Sequence, residues 1–523
     1  MKNISLHALT ITLVFFVALQ GMAQMPAWQW AVGKGISQNL LSAKTSLETD
    51  TLGNSYVAGA GLSKYSPEGK LLWSKDIKAM GLSKDAAGNL YVVGTFQGSV
   101  YLGNTTLTAP PLNITVFLAK FDQAGNTIWA KKGPSSWEIA PNDGASIKIN
   151  GISTDSAGNS LFTGFCWGNA DFDSVSLIPN SSVTQPIYFA AKYDQQGQVK
   201  WARSYPYIQE AVIGTNDNYF LHDGSTLSNY NENGALLWQK SFTTSSNNSN
   251  AQITCLETDE SGNCFVAGSL SGSVTIDGIT LQNSGFRNAL LVKFNPAGTL
   301  LWAKTSQALS ASSQPEITAI KAGPNGRVYI TGNFTDSITF DNSLPALTAQ
   351  ANQAPAFVSK LSSTDGAPYW QKQTSGFLYQ SSIADLPDGE SVTAGFFQSP
   401  GCSFDNINLN YASGYNRNLF LAKLSTGTTQ PLEPVTEPEP APEPSITAQF
   451  YPNPANSEIR INMPDFENAK VLVFNVAGQK IYTDSLSAKG KLEINVTAWP
   501  ASMYLVKITA EGKAQIQKLL VTH

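Results

Sequence analysis

The residues best suited to acid–base, nucleophilic or metal chemistry are few and widely spaced. Of three histidines, His7 lies beside an apolar N-terminal run and His523 ends the sequence, so His222 stands alone between them. Histidine-based triads and multi-histidine metal sites are therefore not expected. The four cysteines, Cys166, Cys255, Cys264 and Cys402, form no CxxC and no adjacent pair, which argues against zinc and iron–sulfur sites. A cysteine nucleophile would need a basic partner that the sequence does not place nearby. Cys255 and Cys264 flank one hairpin turn, where a cross-strand disulfide and two small buried thiols are both open. Aspartates in Asp155-Ser156-Ala157-Gly158-Asn159 and Asp259-Glu260-Ser261-Gly262-Asn263 lack the ligand spacing of an EF-hand and read as turn formers. No metal and no cofactor is expected. Carboxylate pairs remain the one route to catalysis, of the kind used on glycosidic bonds.

A second constellation suits recognition. Trp137, Glu138 and Asp143 lie close together; Trp167, Asp171 and Asp173 follow; Tyr205 and Tyr207 come next; then His222-Asp223. Aromatic rings cover the apolar faces of a sugar while acids accept its hydroxyl hydrogen bonds, so these residues are the candidate ligand site. Loop residues packing on one another would give the same composition.

These side chains need a scaffold, and the scaffold is repetitive. Gln252 to Ser306 reads as four short strands, with Gly262-Asn263 before the second, Lys293 in the third and Trp302 in the fourth. The frame recurs seven times. Second-strand cores run from Tyr56-Val57-Ala58-Gly59 through Tyr91-Val92-Val93-Gly94 to Val392-Thr393-Ala394-Gly395, and His222 replaces the glycine in the fourth. Trp73, Trp129, Trp201, Trp238, Trp302 and Trp370 close the first six copies, whereas the seventh lacks its tryptophan. Trp28-Gln29-Trp30, with no copy before it, supplies the missing strand. A ring closed in this way removes the open edges of a linear array. The chain is thus expected to be all-β, a seven-bladed β-propeller over 25–426 closed by an N-terminal strand, followed by a small C-terminal β-sandwich. A linear solenoid is the alternative. In five copies the connection between strands two and three is enlarged by a small hairpin; the first and fourth lack it, which leaves two notches in one rim. The second notch lies beside the candidate ligand residues.

The quoted pattern, Asp-x-x-Gly-Asn-x-aromatic-Val-x-Gly and then Lys followed by Trp, resembles the seven-bladed propeller repeats of secreted bacterial proteins. That resemblance implies a fold and almost no chemistry. The tryptophans also resemble those of quinoprotein repeats, but the adjacent cysteine pair of the dehydrogenases is absent, so no quinone is expected.

Composition and the two ends set the destination. Forty-two per cent hydrophobic and only 14% charged residues fit turn-rich β structure with a large core. A net charge of −5 offers no basic surface for nucleic acid. Residues 1–24 have the form of a cleavable signal peptide, with an apolar run too short to span a membrane. Residues 427–445, rich in proline and glutamate, form a linker. Within 446–523, Tyr451-Pro452-Asn453-Pro454, then Gly478 in Val476-Ala477-Gly478-Gln479, then Tyr504 in Met503-Tyr504-Leu505 are similar to the C-terminal sorting domain of type IX secretion. This similarity implies the type IX machinery as partner and a secreted or cell-surface destination. The expected function is binding or adhesion, through a glycan, surface polymer or protein ligand; the alternatives are a polysaccharide-acting enzyme using carboxylates and a structural surface-layer component.

Overall fold

The computed structural model describes residues 25–36, 41–110, 113–137, 146–179, 185–242, 250–283, 286–324, 326–412, 417–426, 449–463, 469–475, 480–486, 490–510 and 513–522. The expected signal peptide and linker lie outside the described residues. The chain divides after Thr429 into two compact units. Both are built almost entirely of β-strands in small antiparallel sheets.

In the first unit, six antiparallel sheets of four strands follow one another along the chain, and a seventh carries an extra hairpin strand. The first strands of the seven sheets are Leu41–Thr49, Ala79–Lys84, Ile147–Thr154, Glu210–Ile213, Asn250–Thr258, Glu316–Gly323 and Ser375–Asp385. Each packs against the first strand of the following sheet, and that of sheet seven packs against that of sheet one. The outermost strand of sheet seven is the N-terminal Trp28–Gly35, running antiparallel to Asn418–Leu424 from Trp28 opposite Leu424 to Gly35 opposite Asn418. Separate small hairpins sit beside sheets two, three, five and six, and the hairpin strand Ile407–Asn410 extends sheet seven; sheets one and four have none among the described residues.

The repeated polar residues form a buried network under the turn in several copies. Asp50 accepts hydrogen bonds from the Asn54 amide nitrogen (2.9 Å), the Asn54 side chain and the Tyr56 hydroxyl (2.9 Å), and pairs with Lys64 at 3.5 Å. Asp85 repeats this with Asn89, Tyr91 and Lys120, the lysine at 3.1 Å. The turn aspartates of these two copies are only 4% and 5% exposed, so they are buried acceptors rather than solvated turn formers. Burial alone would raise the Asp85 carboxyl, but Asn89 and Lys120 outweigh it and hold it below the ordinary carboxylate range. In the third copy Lys192 turns instead to Asp217 of the next sheet, at 2.6 Å.

The tryptophans link one sheet to the next. A Cβ on Gly125 would stand 3.3 Å from Trp73; on Gly197, 2.8 Å from Trp129; on Gly298, 2.8 Å from Trp238; and on Gly366, 2.9 Å from Trp302. Each glycine lies at positive φ in the last turn of the following sheet, where the absent side chain lets the indole lie flat on the backbone. Trp129, Trp238 and Trp302 also donate their indole N–H to a carbonyl of that turn. Trp30, from the outermost strand of sheet seven, makes the same contact with Gly69 of sheet one and donates to the Pro67 carbonyl at 2.8 Å.

The second-strand glycines answer a different demand. In sheets two, three, five and six the first strand bulges opposite them, between Ala79 and Gly81, Ile149 and Gly151, Ile253 and Cys255, and Ile317 and Ala319. A Cβ on Gly94, Gly164, Gly268 or Gly332 would collide with the carbonyl oxygen thrust across by the bulge. Sheet four pairs without a bulge, Glu210 opposite His222, and there a histidine fits.

The four cysteines are free and buried. The disulfide left open for Cys255 and Cys264 is not formed. Cys255 faces Ala267 while Cys264 faces Thr258, and the thiols join cores on opposite faces of sheet five.

In the second unit, the three-stranded sheet of Gln449–Tyr451, Glu458–Met463 and Gly490–Asn495 shares one core with the four-stranded sheet of Ala469–Phe474, Lys480–Leu486, Ser502–Ala510 and Lys513–Val521. Ile459, Ile461 and Ile494 meet Val471, Val473, Val506 and Ile508 there.

Candidate functional site

The first strands of the sheets surround a polar cavity of about 390 Å³. Its charges are paired across sheets: Lys321 bonds Glu257 at 3.2 Å and stands 4.0 Å from Glu48. Arg327 pairs with Asp385 at 3.2 Å. Burial, with Glu48 nearby, pushes the Glu257 carboxyl up to about 7, although Lys321 pulls the other way; Glu257 first, then Glu48, raise Lys321 above the usual lysine value. Two carboxylates thus share one ammonium. Cys255 also faces this cavity, its thiol held protonated by burial and by Glu210. Among the described residues, no group of three or more His, Cys, Asp or Glu is placed to hold a metal ion.

A second recess, also about 390 Å³, adjoins the cavity and shares Lys44, Met80 and Glu210 with it. Tyr188 and Tyr207 form its aromatic wall, their rings 4.8 Å apart and nearly perpendicular at 66°. Tyr207 is 44% exposed, and its hydroxyl accepts from the Gln209 side chain at 3.2 Å. Phe165 extends the wall, and Lys148, Asn150 and Gln209 add polar lining. Glu210 is held from two sides, by Lys44 at 3.4 Å and the Leu256 amide at 3.2 Å.

The residues singled out in the sequence are distributed around this recess unevenly. Tyr207 lines it. His222 is the register partner of the lining residue Glu210 and is wholly buried. Its Nδ1 accepts from the Gly224 amide at 3.2 Å while Nε2 has no partner, and burial, the largest influence, lowers its pKa to about 4. Asp223 caps its own turn, accepting from the Ser225 and Thr226 amides at 2.9 and 2.8 Å. Tyr205 points into a core with Tyr219, hydroxyl to hydroxyl at 2.9 Å. Trp167 is half-buried beside the same sheet, its carbonyl accepting from Ser136 at 2.8 Å. Asp171 accepts from Ser176 at 2.7 Å and Asp173 stands 3.8 Å from Lys131, both within or beside the insert hairpin. Trp137 ends the strand Thr127–Trp137; its side chain, with Glu138 and Asp143, lies outside the described residues.

Sequence reasoning missed Tyr188, because a tyrosine inside Ile187–Tyr193 reads as core. It also missed Glu48, Glu257 and Lys321. Their signal was present: Glu48 and Glu257 occupy the same place in two Leu-Glu-Thr-Asp segments, and Lys321 falls at the equivalent position in sheet six.

In the second unit, the Asn453 side chain ties the first sorting motif to the last strand, donating to the Lys518 carbonyl at 2.8 Å and accepting from the Leu520 amide at 2.9 Å. Tyr451 is 39% exposed beside it. Pro452 and Pro454 follow cis peptide bonds. Tyr504 is buried against Trp499 and donates its hydroxyl to the Pro500 carbonyl at 2.7 Å. Gly478 lies outside the described residues.

Residues 449–522 match the family of secretion system C-terminal sorting domains. The chain therefore carries a type IX sorting domain, and the protein is exported through that route to the bacterial cell surface. No helix among the described residues is long and apolar enough to cross a membrane. No curated protein matches the sequence. Among solved structures, the chain is similar to a protein of unknown function from Bacteroides caccae, at 11% identity over 60% of this chain and 89% of that one, with a TM-score of 0.32. It is similar to a quinohemoprotein alcohol dehydrogenase from Comamonas testosteroni at 8% identity over 83% and 79%, TM-score 0.37. A gluconolactonase from Xanthomonas campestris matches at 11% identity over 59% and 95%, TM-score 0.31. Likeness of this degree carries no chemistry from those proteins to this one.

Proposed function

We propose that the seven sheets of the first unit close into a seven-bladed β-propeller, with the N-terminal strand as the last strand of the last blade, and that this propeller binds a glycan at the cell surface. The cyclic packing of the first strands supports closure, as does the Trp30 contact with Gly69, which repeats between sheets seven and one the link seen between consecutive sheets. Binding rests on one observation: the wall of exposed Tyr207 and half-buried Tyr188 stands over amide and charged side chains in a recess of ligand size. A surface polymer or a partner protein bearing such a glycan would use the same wall. Hydrolysis is the weaker reading, since Glu48 and Glu257 are both committed to Lys321 and Glu210 to Lys44.

The test is titration of residues 25–523 with a panel of neutral and acidic oligosaccharides, read by calorimetry, alongside an assay for released reducing ends. Binding without release is expected, weakened about five- to thirtyfold by Tyr207→Ala because an aromatic–sugar platform of this kind contributes on the order of 1–2 kcal/mol. Release of reducing ends would reverse the preference for binding over catalysis. Binding that survives Tyr207→Ala would move the site elsewhere.

A further inference from the structure

A recess of about 640 Å³ opens where the first strand of sheet seven meets that sheet's hairpin. It is larger than the recess beside Tyr207 and shares no residue with it. Phe377 and Tyr379 flank the buried Leu378 beside an irregularity in the strand Ser375–Asp385. They stay 38% and 37% exposed, with ring centroids 5.5 Å apart at 64°, and make an L-shaped apolar wall. The Arg417 guanidinium rests 4.8 Å over the Tyr379 ring and steadies it.

The rest of the lining is uncharged and largely polar, with Pro400, Cys402 and Leu409 as its apolar members. Asn352, Gln398, Asn408 and Asn410 reach the recess, and no Asp, Glu, Lys, Arg or His lines it. Asn408 and Asn410 alternate with Ile407 and Leu409, which pack into the sheet core, so the hairpin turns its amides outward. The side chains of Gln398, Asn408 and Asn410 make no hydrogen bond within the described residues, which leaves each with donors and an acceptor to offer.

We propose that this recess is a second ligand site, and that it takes an uncharged saccharide. A sugar ring presents C–H groups on its faces and hydroxyls around its edge. Two exposed rings meet the former, and amides, which donate and accept, meet the latter. Arg417 beside the Tyr379 ring is a cation that an acidic group could meet, so the preference for an uncharged saccharide rests on the uncharged lining itself. The volume lies within the roughly 300–1,000 Å³ of ligand recesses. Both recesses combine strand ends, mainly the starts of first strands, with connections that follow a second or a fourth strand, and antiparallel pairing places these at one end of each sheet. A polymer with neutral stretches would therefore be held at two places, one in sheets three and four and one in sheet seven, with the gain in avidity that linked sites provide. The proposal stands apart from the Tyr207 site and does not depend on it.

The experiment is calorimetric titration of residues 25–523 with cello-, malto-, xylo- and manno-oligosaccharides, an oligogalacturonate of similar length, and an uncharged peptide of similar size. At least one neutral oligosaccharide is expected to bind, and Phe377→Ala and Tyr379→Ala are each expected to weaken it about tenfold or more while Tyr207→Ala leaves that event unchanged. Gln398→Ala and Asn408→Ala, at accessible positions that touch no core, should weaken it by a smaller factor and guard against loss of fold in the aromatic variants. Failure of every neutral oligosaccharide to bind, stronger binding of the oligogalacturonate or the peptide, or loss of all binding in Tyr207→Ala alone would each overturn the proposal. The last outcome would leave the Tyr207 site standing.

Discussion

A neutral imidazole sealed inside a protein makes stability depend on pH in a definite direction. His222 is wholly buried, and burial lowers its pKa to about 4 against 6.5 in the open chain. The unfolded chain therefore takes up the proton first as pH falls. The contribution of His222 is whole above about pH 6.5 and is lost progressively toward pH 4, a difference of about 3 kcal/mol. Asp50 and Asp85 carry depressed values, so their contribution is whole above about pH 4 and is lost only below it, as pH falls through their folded values. Two acid windows follow from two kinds of residue. Glu257, its carboxyl raised to about 7, shifts stability the opposite way over the same range. The His222 contribution is therefore read as the difference between the native protein and His222→Leu in urea unfolding of residues 25–426 from pH 8 to pH 4: the variant is expected to lose less stability on acidification. An unchanged slope in the variant would remove His222 from the account. His222 also shows what was legible at this scale. Its departure from the glycine pattern was plain in the sequence, but the reason, an unbulged strand opposite it, is a backbone feature that no residue type announces.

The strand is the next scale, and here the repeating pattern carried most of the information. Aspartate, asparagine and lysine recur because the first, second and fifth copies bury a charge network under the turn, and tryptophan recurs because five of the sheets lay an indole on the next sheet's turn glycine. The pairing of the turn aspartate with the lysine was not legible, since the two are separated in sequence (Asp50 with Lys64, Asp85 with Lys120, Asp259 with Lys293) and meet only through register. The first strands were the least marked, being varied in sequence, so the charged cavity between them escaped notice. The N-terminal strand supports a direct prediction. Trp28 is 6% exposed and packs edge-on to Phe404 at 5.0 Å, so Trp28→Ala should cost about 3–5 kcal/mol. Trp30→Ala should cost less, because Trp30 remains partly exposed, but should loosen sheet one together with sheet seven. Hydrogen exchange in both Leu419–Leu424 and Ser55–Tyr65 would check this; exchange confined to one sheet would argue against closure through Trp30.

At the scale of the whole molecule, export belongs to the second unit and the proposed recognition to the first. The sorting motifs were legible because they are local in sequence, and the Asn453 bonds to the final strand show how the first motif is fixed. Removing residues 449–523 is expected to leave the protein folded but retained in the periplasm, as fractionation and limited proteolysis would report; surface delivery of the truncated protein would contradict that division. The recess was only partly legible. Tyr207 could be chosen for its place beside the notch, whereas Tyr188 sits within a strand, and Trp167, Asp171 and Asp173 are engaged by their own hairpin and its neighbours. The most direct measurement of the central claim is a hydrogen-exchange footprint of residues 25–523, with and without a saturating oligosaccharide chosen by calorimetry. Binding at the Tyr188–Tyr207 recess predicts slowed exchange in 147–150, 187–189 and 207–211 with the sorting domain unchanged. Protection absent from all three segments while the saccharide is bound would contradict it.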